Sequence, residues 1–313
     1  MENAFCHVPV LAEEALTFIR PQSGGIYIDA TVGGGNHAAM ILERSSPEGF
    51  LLGIDRDAEA LTAAAKKLAP YQGRFVLVSG NYADMAALAE GQGIEAADGI
   101  LLDIGVSSRH LDAPERGFSY MQDAPLDMRM DQSSGRSAAE LVNEESAETL
   151  TRILFEFGEE KWAKRIAEFI VSARAIKPID TTGELVAIVK QAIPKGAREK
   201  DQHPARRTFQ AIRIAVNNEL SALDIGLDAA ISLLRPGGVI AVISFHSLED
   251  RIVKTKLKHH ATDCICPPRT PVCLCHHRAD LKLLTRKPVT AGSEELMANP
   301  RSRSAMLRAA QKL

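Results

Sequence analysis

What most constrains this chain of 313 residues is a regular alternation that stops abruptly. Ile26–Asp29, Phe50–Ile54, Phe75–Val78 and Gly99–Leu102 are short apolar runs, too short for free helices. Such runs mark strands buried on both faces of a parallel sheet. The stretches between them, 37–44, 57–69 and 83–90, have helical period. A β-α-β-α-β-α-β order has one economical solution, a doubly wound α/β sheet, because right-handed crossovers stack helices on both faces. From 106 to 136 turn formers dominate, and only helical segments follow, near 137–143, 146–157, 159–175, 181–192 and 205–234. Strand character returns in GGVIAVISF (237–245), after an Arg-Pro-Gly-Gly that should end the helix and turn the chain. The expected architecture is a Rossmann-like sheet from residues 1–110 and 215–313, interrupted by an all-helical domain at 111–214. LKLLTRKPV and RSAMLRAA are available for an antiparallel edge.

In such a sheet ligands lie beyond the carboxyl ends of the strands. The first strand ends in Asp29, and Gly33, Gly34 and Gly35 follow it. Glycines remove the Cβ atoms that would meet a ligand and permit positive φ; a tight turn with no ligand is the plain alternative. Asp55 ends the second strand, where a carboxylate can accept both hydroxyls of an adenosine ribose. Asp57 is the better helix N-cap, which leaves Asp55 free. Tyr82 follows the third strand, either against an adenine or as a core aromatic, and Asp103 ends the fourth. Residues 33–38 also fit GxGxxA, so NAD and S-adenosylmethionine both suit the turn and its ribose acid. Asp29, suited to an amino-acid ammonium, and helices inserted within the sheet favour S-adenosylmethionine.

Composition excludes some classes. No stretch of 18 apolar residues exists and the N-terminus lacks a signal-peptide pattern, so a cytoplasmic protein without a membrane span is expected. The net charge of −3 is uneven, with +9 in residues 251–313 and −12 in the rest. A polyanionic partner or a solvated basic surface would each account for that.

Beyond these patterns the chain resembles a known family. HVPVL (7–11), YIDATVGGGNHA (27–38), GIDRD (53–57), ILLDIGVSS (100–108), ERGFSY with PLDMRMD (115–131), ARRTFQAIRIAVNNEL (205–220), ISFHSLEDRIVK (243–254) and NPRSRSAMLR (299–308) carry the likeness. They look like the bacterial 16S rRNA cytosine-N4-methyltransferase family. The resemblance implies a methyltransferase sheet whose inserted helical domain recognises the substrate. It also implies S-adenosylmethionine as methyl donor, N4 of a decoding-region cytidine as acceptor, and 16S rRNA within the small ribosomal subunit as partner. By position, the family's cofactor contacts fall on Gly35, Asn36, His37, Asp55, Tyr82, Asp103 and His110, beside the Asp29, Gly33 and Gly34 already singled out. Asn36 stands where the family has glycine and His110 where it has glutamine. Asparagine tolerates positive φ, so the turn is expected to keep its shape.

The chemistry required is modest in kind. The N4 lone pair of cytosine is delocalised into the ring, and an acceptor for its amino hydrogens localises it and takes the proton released. Asp103 is the catalytic candidate, with His246 beside it as either a second catalytic group or a turn-stabilising histidine; Ser107 and Ser108 are secondary. The target base must leave its stack, so a loop or unpaired strand is the expected substrate. Basic residues in 194–207 and the C-terminal region would hold its flanking phosphates.

Four of the five cysteines, Cys264, Cys266, Cys273 and Cys275, fall within twelve residues, followed by His276 and His277. The set has enough soft ligands for a tetrahedral zinc, but C-x-C is a poorer bite than C-x-x-C, so free thiols and no metal are expected. A nicotinamide oxidoreductase and a non-catalytic zinc and RNA-binding module are the competing functions.

Overall fold

The computed structural model describes residues 9–107, 113–199, 202–267, 270 and 272–313. It forms two compact units, one from the residues up to Gly105 together with Leu220–Leu313, the other Val106–Glu219. In chain order the first unit begins with α1 (Ala12–Ile19), β1 (Ile26–Asp29), α2 (Asn36–Arg44), β2 (Phe50–Asp55), α3 (Ala58–Leu68), β3 (Phe75–Ser79), α4 (Met85–Glu90) and β4 (Ala97–Asp103). The helices α5 (Ala138–Glu144), α6 (Ala147–Gly158), α7 (Ala163–Arg174), α8 (Thr182–Ala192) and α9 (Arg206–Asn217) follow. Then come α10 (Glu219–Leu233), β5 (Leu234–Ser244), α11 (Ser247–His260), β6 (Leu281–Leu283), α12 (Ser293–Ala298) and β7 (Met306–Lys312).

The strands make one mixed sheet in the order β3-β2-β1-β4-β5-β7-β6. The first five are parallel, while β7 runs antiparallel to both β5 and β6. Successive residues of a strand feed opposite apolar layers, as a two-residue repeat requires. Tyr27, Leu51, Leu101 and Ala241 pack with α1, α2 and α3, whereas Ile28, Leu52, Ile100 and Val242 pack with α4, α10 and α11. Burial on both faces is why these strands read as unbroken apolar runs, and it makes the Rossmann-like doubly wound fold directly visible.

Two local expectations fail for identifiable reasons. The single helix expected over 205–234 breaks at Asn218, which adopts a left-handed φ of 50°. Beside the break, Asn217 accepts from the Met130 N–H at 2.8 Å and donates to the Met128 carbonyl at 2.7 Å, tying α9 to a loop almost ninety residues away. The Arg-Pro-Gly-Gly stretch does not turn the chain off before the strand. Leu234 already pairs with Ala97 and Val239 with Gly99, so residues 235–238 bulge opposite Asp98, with which Arg235 forms an ion pair.

The helical unit has its own core, centred on Leu141, Leu150, Ile166, Ile170, Val189, Phe209 and Ile212. Reciprocal N-terminal caps fix two of its helices, Ser137 with Glu140 and Thr181 with Glu184. The motif residues of 115–131 are pinned to it. The Arg116 guanidinium donates to the Met130 carbonyl at 2.9 Å, and Arg129 holds Asp127 with two bonds of 2.9 Å. Gly117 has φ +72°, and a Cβ there would lie 2.3 Å from the Pro125 carbonyl oxygen, so no other residue fits. Among the described residues, no helix is long and apolar enough to cross a membrane.

Candidate active site

After β3 the chain crosses back over β2 and β1 to lay β4 on the other side of β1. The topological switch point therefore lies between β1 and β4, where an open α/β sheet binds its ligands. Asp29 and Asp103 end these two strands, and Asp55 ends β2 on the far side of β1.

Asp29 is 1% exposed; its Oδ1 accepts from the Thr31 N–H at 3.3 Å, and its Oδ2 is buried without a hydrogen-bond partner. Burial, with the charge of Asp55 nearby, outweighs that bond and raises its pKa from 3.8 to about 7. Asp103 is positioned by its own backbone, whose N–H donates to Thr31 Oγ1 at 2.7 Å. Its Oδ1 is likewise buried and unpartnered. Burial first, then the charges of Asp29 and Glu249, push its pKa up to about 8. Two carboxyls held this way leave a pocket that favours a positive charge or strong donors between them.

The glycine turn runs from β1 into α2. Positive φ falls on Gly33 (+50°) and Gly35 (+80°), and a Cβ on Gly35 would come within 3.2 Å of Ala64 Cα. Asn36 is the first residue of α2, with helical rather than left-handed backbone, so its tolerance for positive φ is not called upon. No side chain caps this helix and no acidic residue occupies its first turn. Its N-terminal N–H groups suit an anionic group.

Asp55 is not the free acid expected. Its Oδ2 accepts from the Gly33 N–H and its Oδ1 from the Asp57 N–H, both at 2.9 Å, so it shapes the glycine turn. Asp57 caps α3, as anticipated, through the Glu59 N–H at 2.9 Å. His37 is buried, with Nε2 3.1 Å from the Val10 carbonyl and Nδ1 3.6 Å from Asp103 Oδ2. Tyr82 packs on α10 at Gly226, where a Cβ would meet its ring at 2.5 Å.

His246 caps α11. Its Nδ1 accepts from the Glu249 N–H at 3.4 Å and its Nε2 lies 3.0 Å from Glu249 Oε1. Glu249, completely buried, in turn accepts from the Phe245 N–H at 2.8 Å. Asp103 pairs with Ile243 in the sheet, so this cap begins three residues beyond the neighbour of Asp103. The structure thus brings Asp29, the glycines, His37, Asp55, Asp103 and His246 to the carboxyl edge of one sheet. Ser107 belongs to the helical unit, and Ser108 and His110 lie outside the described residues.

The pieces fit S-adenosylmethionine. Its ammonium is a cation for the unpartnered oxygen of Asp29, its carboxylate suits the uncapped start of α2, and the unpartnered oxygen of Asp103 is left to face the acceptor. Asp55, at the end of β2, is a carboxylate of the kind that accepts from ribose hydroxyls.

The helical unit carries a basic groove that the sequence patterns did not single out. Lys161, Trp162, Lys164, Arg165, Glu168 and Phe169 line an open depression of about 550 Å³, with Arg165 5.3 Å above the Phe169 ring. Its trace in the sequence is the set of cations and aromatics spaced along a turn or two of α7 and its approach. In the stretch 194–207, by contrast, Arg198 donates to the Ile193 carbonyl and Arg207 pairs with Glu199. Part of the C-terminal charge is also paired internally, Arg308 with Asp250 and Lys312 with Asp280.

The profile of the MraW methylase family matches residues 4–313. A ribosomal RNA small subunit methyltransferase H of Symbiobacterium thermophilum is 57% identical over 310 residues, covering 99% of this chain and 98% of its own length. The proteins of that name from Geobacter sp. strain M21 and Heliobacterium modesticaldum are 56% and 52% identical, each covering 99% of both chains.

Proposed function

Because the chain belongs to the MraW methylase family, we propose that it methylates N4 of a cytidine in the decoding region of 16S rRNA, within the small ribosomal subunit of the cytoplasm. S-adenosylmethionine is the methyl donor. The observation that carries the reading is the pair of buried, unpartnered carboxylate oxygens on Asp29 and Asp103, flanking the switch point beside an uncapped helix. Small-subunit rRNA as substrate is supported by the names of relatives that match end to end. The family membership sets aside a nicotinamide oxidoreductase, the other reading of the glycine turn.

When bound, S-adenosylmethionine supplies a methyl group already activated by a positively charged sulfur, which leaves as a neutral thioether. The protein's task is to hold nucleophile and methyl in line, worth up to ~7–11 kcal/mol in well-oriented cases. Asp29, Gly33, Gly34 and the start of α2 would hold the amino-acid end, and Asp55, which fixes the turn through the Gly33 N–H, would hold the ribose. Asp103 Oδ1 accepts a hydrogen of the cytosine amino group, which localises the N4 lone pair, and receives the proton that N4 loses once the new bond forms. With its pKa pushed up to about 8, this carboxyl once ionised is a stronger base than an ordinary carboxylate, which suits it to take that proton. His246, both of whose ring nitrogens face Glu249, is a positioning residue that holds the end of β5 beside Asp103. The helical unit, with its basic groove at 161–169, grips the flanking phosphates, and is the substrate-recognition domain.

Labelled methyl transfer to isolated small subunits lacking this modification tests the reading. Wild type should label the rRNA and Asp103→Asn should not; no incorporation by wild type would refute the function, and full incorporation by the variant would refute the role of Asp103.

A further inference from the structure

The cysteine cluster is not used by the methyl-transfer site, and its geometry departs from the expectation of unorganised free thiols. Cys264 Sγ lies 3.6 Å from Cys273 Sγ and 3.8 Å from Cys275 Sγ, and Cys273 and Cys275 are 3.6 Å apart. With Cys266, all four sulfurs lie within 4.8 Å of one another. A disulfide would need about 2.05 Å. Four thiolates around one zinc at about 2.3 Å sit roughly 3.8 Å from each other, the edge of the coordination tetrahedron. The short C-x-C bite that argued against a metal is achieved in the fold, since Cys273 and Cys275 already span such an edge.

We propose that Cys264, Cys266, Cys273 and Cys275 bind a single Zn²⁺ as a structural four-thiolate site.

Two further observations support it. The residue inside each C-x-C donates its backbone N–H to a sulfur of the other pair, Ile265 to Cys275 and Leu274 to Cys266, both at 3.4 Å. Donors aimed at sulfur orient a thiolate and spread its charge, the service that outer partners give to metal ligands. The second concerns what holds the loop. Ile265, Val272 and Leu274 are 45%, 69% and 74% exposed, so among the described residues none of the large apolar side chains of the loop is buried. Its neck is closed by the His277 ring on the Thr262 carbonyl at 2.8 Å and by the Ala279 N–H on Asp263 at 3.3 Å. That bond and the packing of its ring on His259 give His277 a structural place outside the ligand set. Those exposed side chains provide no core at the tip, where the sulfurs converge, and in a segment of this kind metal binding supplies the folding free energy. Each thiol that ligates releases its proton, so four bound thiolates give the site a net charge of −2. Cys264 and Cys273 are exposed, which suits redox-inert zinc better than iron in the same ligand set.

The test uses the full chain, expressed with zinc and iron both supplied, purified without chelator, and freed of any histidine tag before elemental analysis. About one zinc per chain is expected. A mercurial reagent that titrates thiols should release it in step with cysteine modification. C264S/C273S should fall below about one tenth of a zinc while still binding S-adenosylhomocysteine, which separates loss of the site from loss of the fold. Independently, Co²⁺ exchanged into wild type should give the intense thiolate charge-transfer absorption of a tetrahedral sulfur site. Absence of zinc from wild type, iron in its place, zinc retained by the double variant, or a cobalt spectrum of oxygen and nitrogen ligands would each overturn the proposal.

Discussion

Gly34 separates ligand binding from folding at one position. Its backbone lies outside the positive-φ region, and a Cβ built on it meets no protein atom within 4 Å. Gly34→Ala therefore costs the fold little. A permissive Gly→Ala change stabilises by ~0.4–1 kcal/mol by restricting the unfolded chain, so the ligand-free melting temperature should stay level or rise. The ligand side is different, because the proposed function puts the amino-acid end of S-adenosylmethionine along the bare edge of the turn between β1 and α2. An extra methyl in a close-packed site costs ~1–3 kcal/mol, or roughly 5- to 150-fold in Kd. Gly35→Ala is the control with the opposite sign. Its φ of +80° and the 3.2 Å approach to Ala64 make it lose stability before any ligand is added, by ~1–2 kcal/mol for the backbone alone. Calorimetric titration with S-adenosylhomocysteine, paired with thermal melts, reads both quantities. Wild-type affinity in Gly34→Ala would refute the placement of the cofactor along this turn.

The buried acids predict a pH dependence. In the native state Asp29 titrates at about 7 and Asp103 at about 8, against 3.8 ordinarily, so between these values the native state binds more protons than the unfolded one. Stability of the ligand-free protein should then fall as pH rises from roughly 4 to roughly 8 and level off above; Asp29→Asn should flatten that slope, and melts showing an unchanged slope would contradict the assignment. Gly117→Ala forces a Cβ to 2.3 Å from a carbonyl oxygen and should destabilise the helical unit by on the order of 3 kcal/mol; an unchanged midpoint in chemical denaturation would show that the turn is not packed this way. Lys164→Ala with Arg165→Ala should weaken rRNA binding and reduce the salt slope of log K by up to about one for each phosphate no longer held. An unchanged slope would remove the groove at 161–169 from the RNA-binding surface.

Much of this is legible in the sequence because it depends on local pattern. A strand buried on both faces is apolar along its length, so β1, β2, most of β4 and the later part of β5 appear as runs, and an acid at the end of such a run is conspicuous, as Asp29, Asp55 and Asp103 are. What cannot be read depends on partners distant in the chain. The break at Asn218 lies beside bonds from Asn217 to Met128 and Met130, which no helical periodicity reports. Asp55 looks free for a ribose in the sequence because its role as acceptor for the Gly33 N–H exists only once β1 and β2 are side by side. Three preceding glycines make Asn36 look like part of the turn, whereas the left-handed residues end at Gly35. The cysteine spacing gives a ligand count, but the cross-loop arrangement that draws the sulfurs together is a property of the folded loop.

The most direct test of the account is the identity of the methylated nucleoside. Small subunits lacking the modification, treated with the purified chain and isotope-labelled S-adenosylmethionine, are digested to nucleosides and resolved by mass spectrometry with fragmentation. The account predicts label on the base of cytidine at N4, absent when Asp103→Asn replaces wild type. Label on C5, on a ribose hydroxyl or on another base would contradict the proposed orientation of the amino group against Asp103.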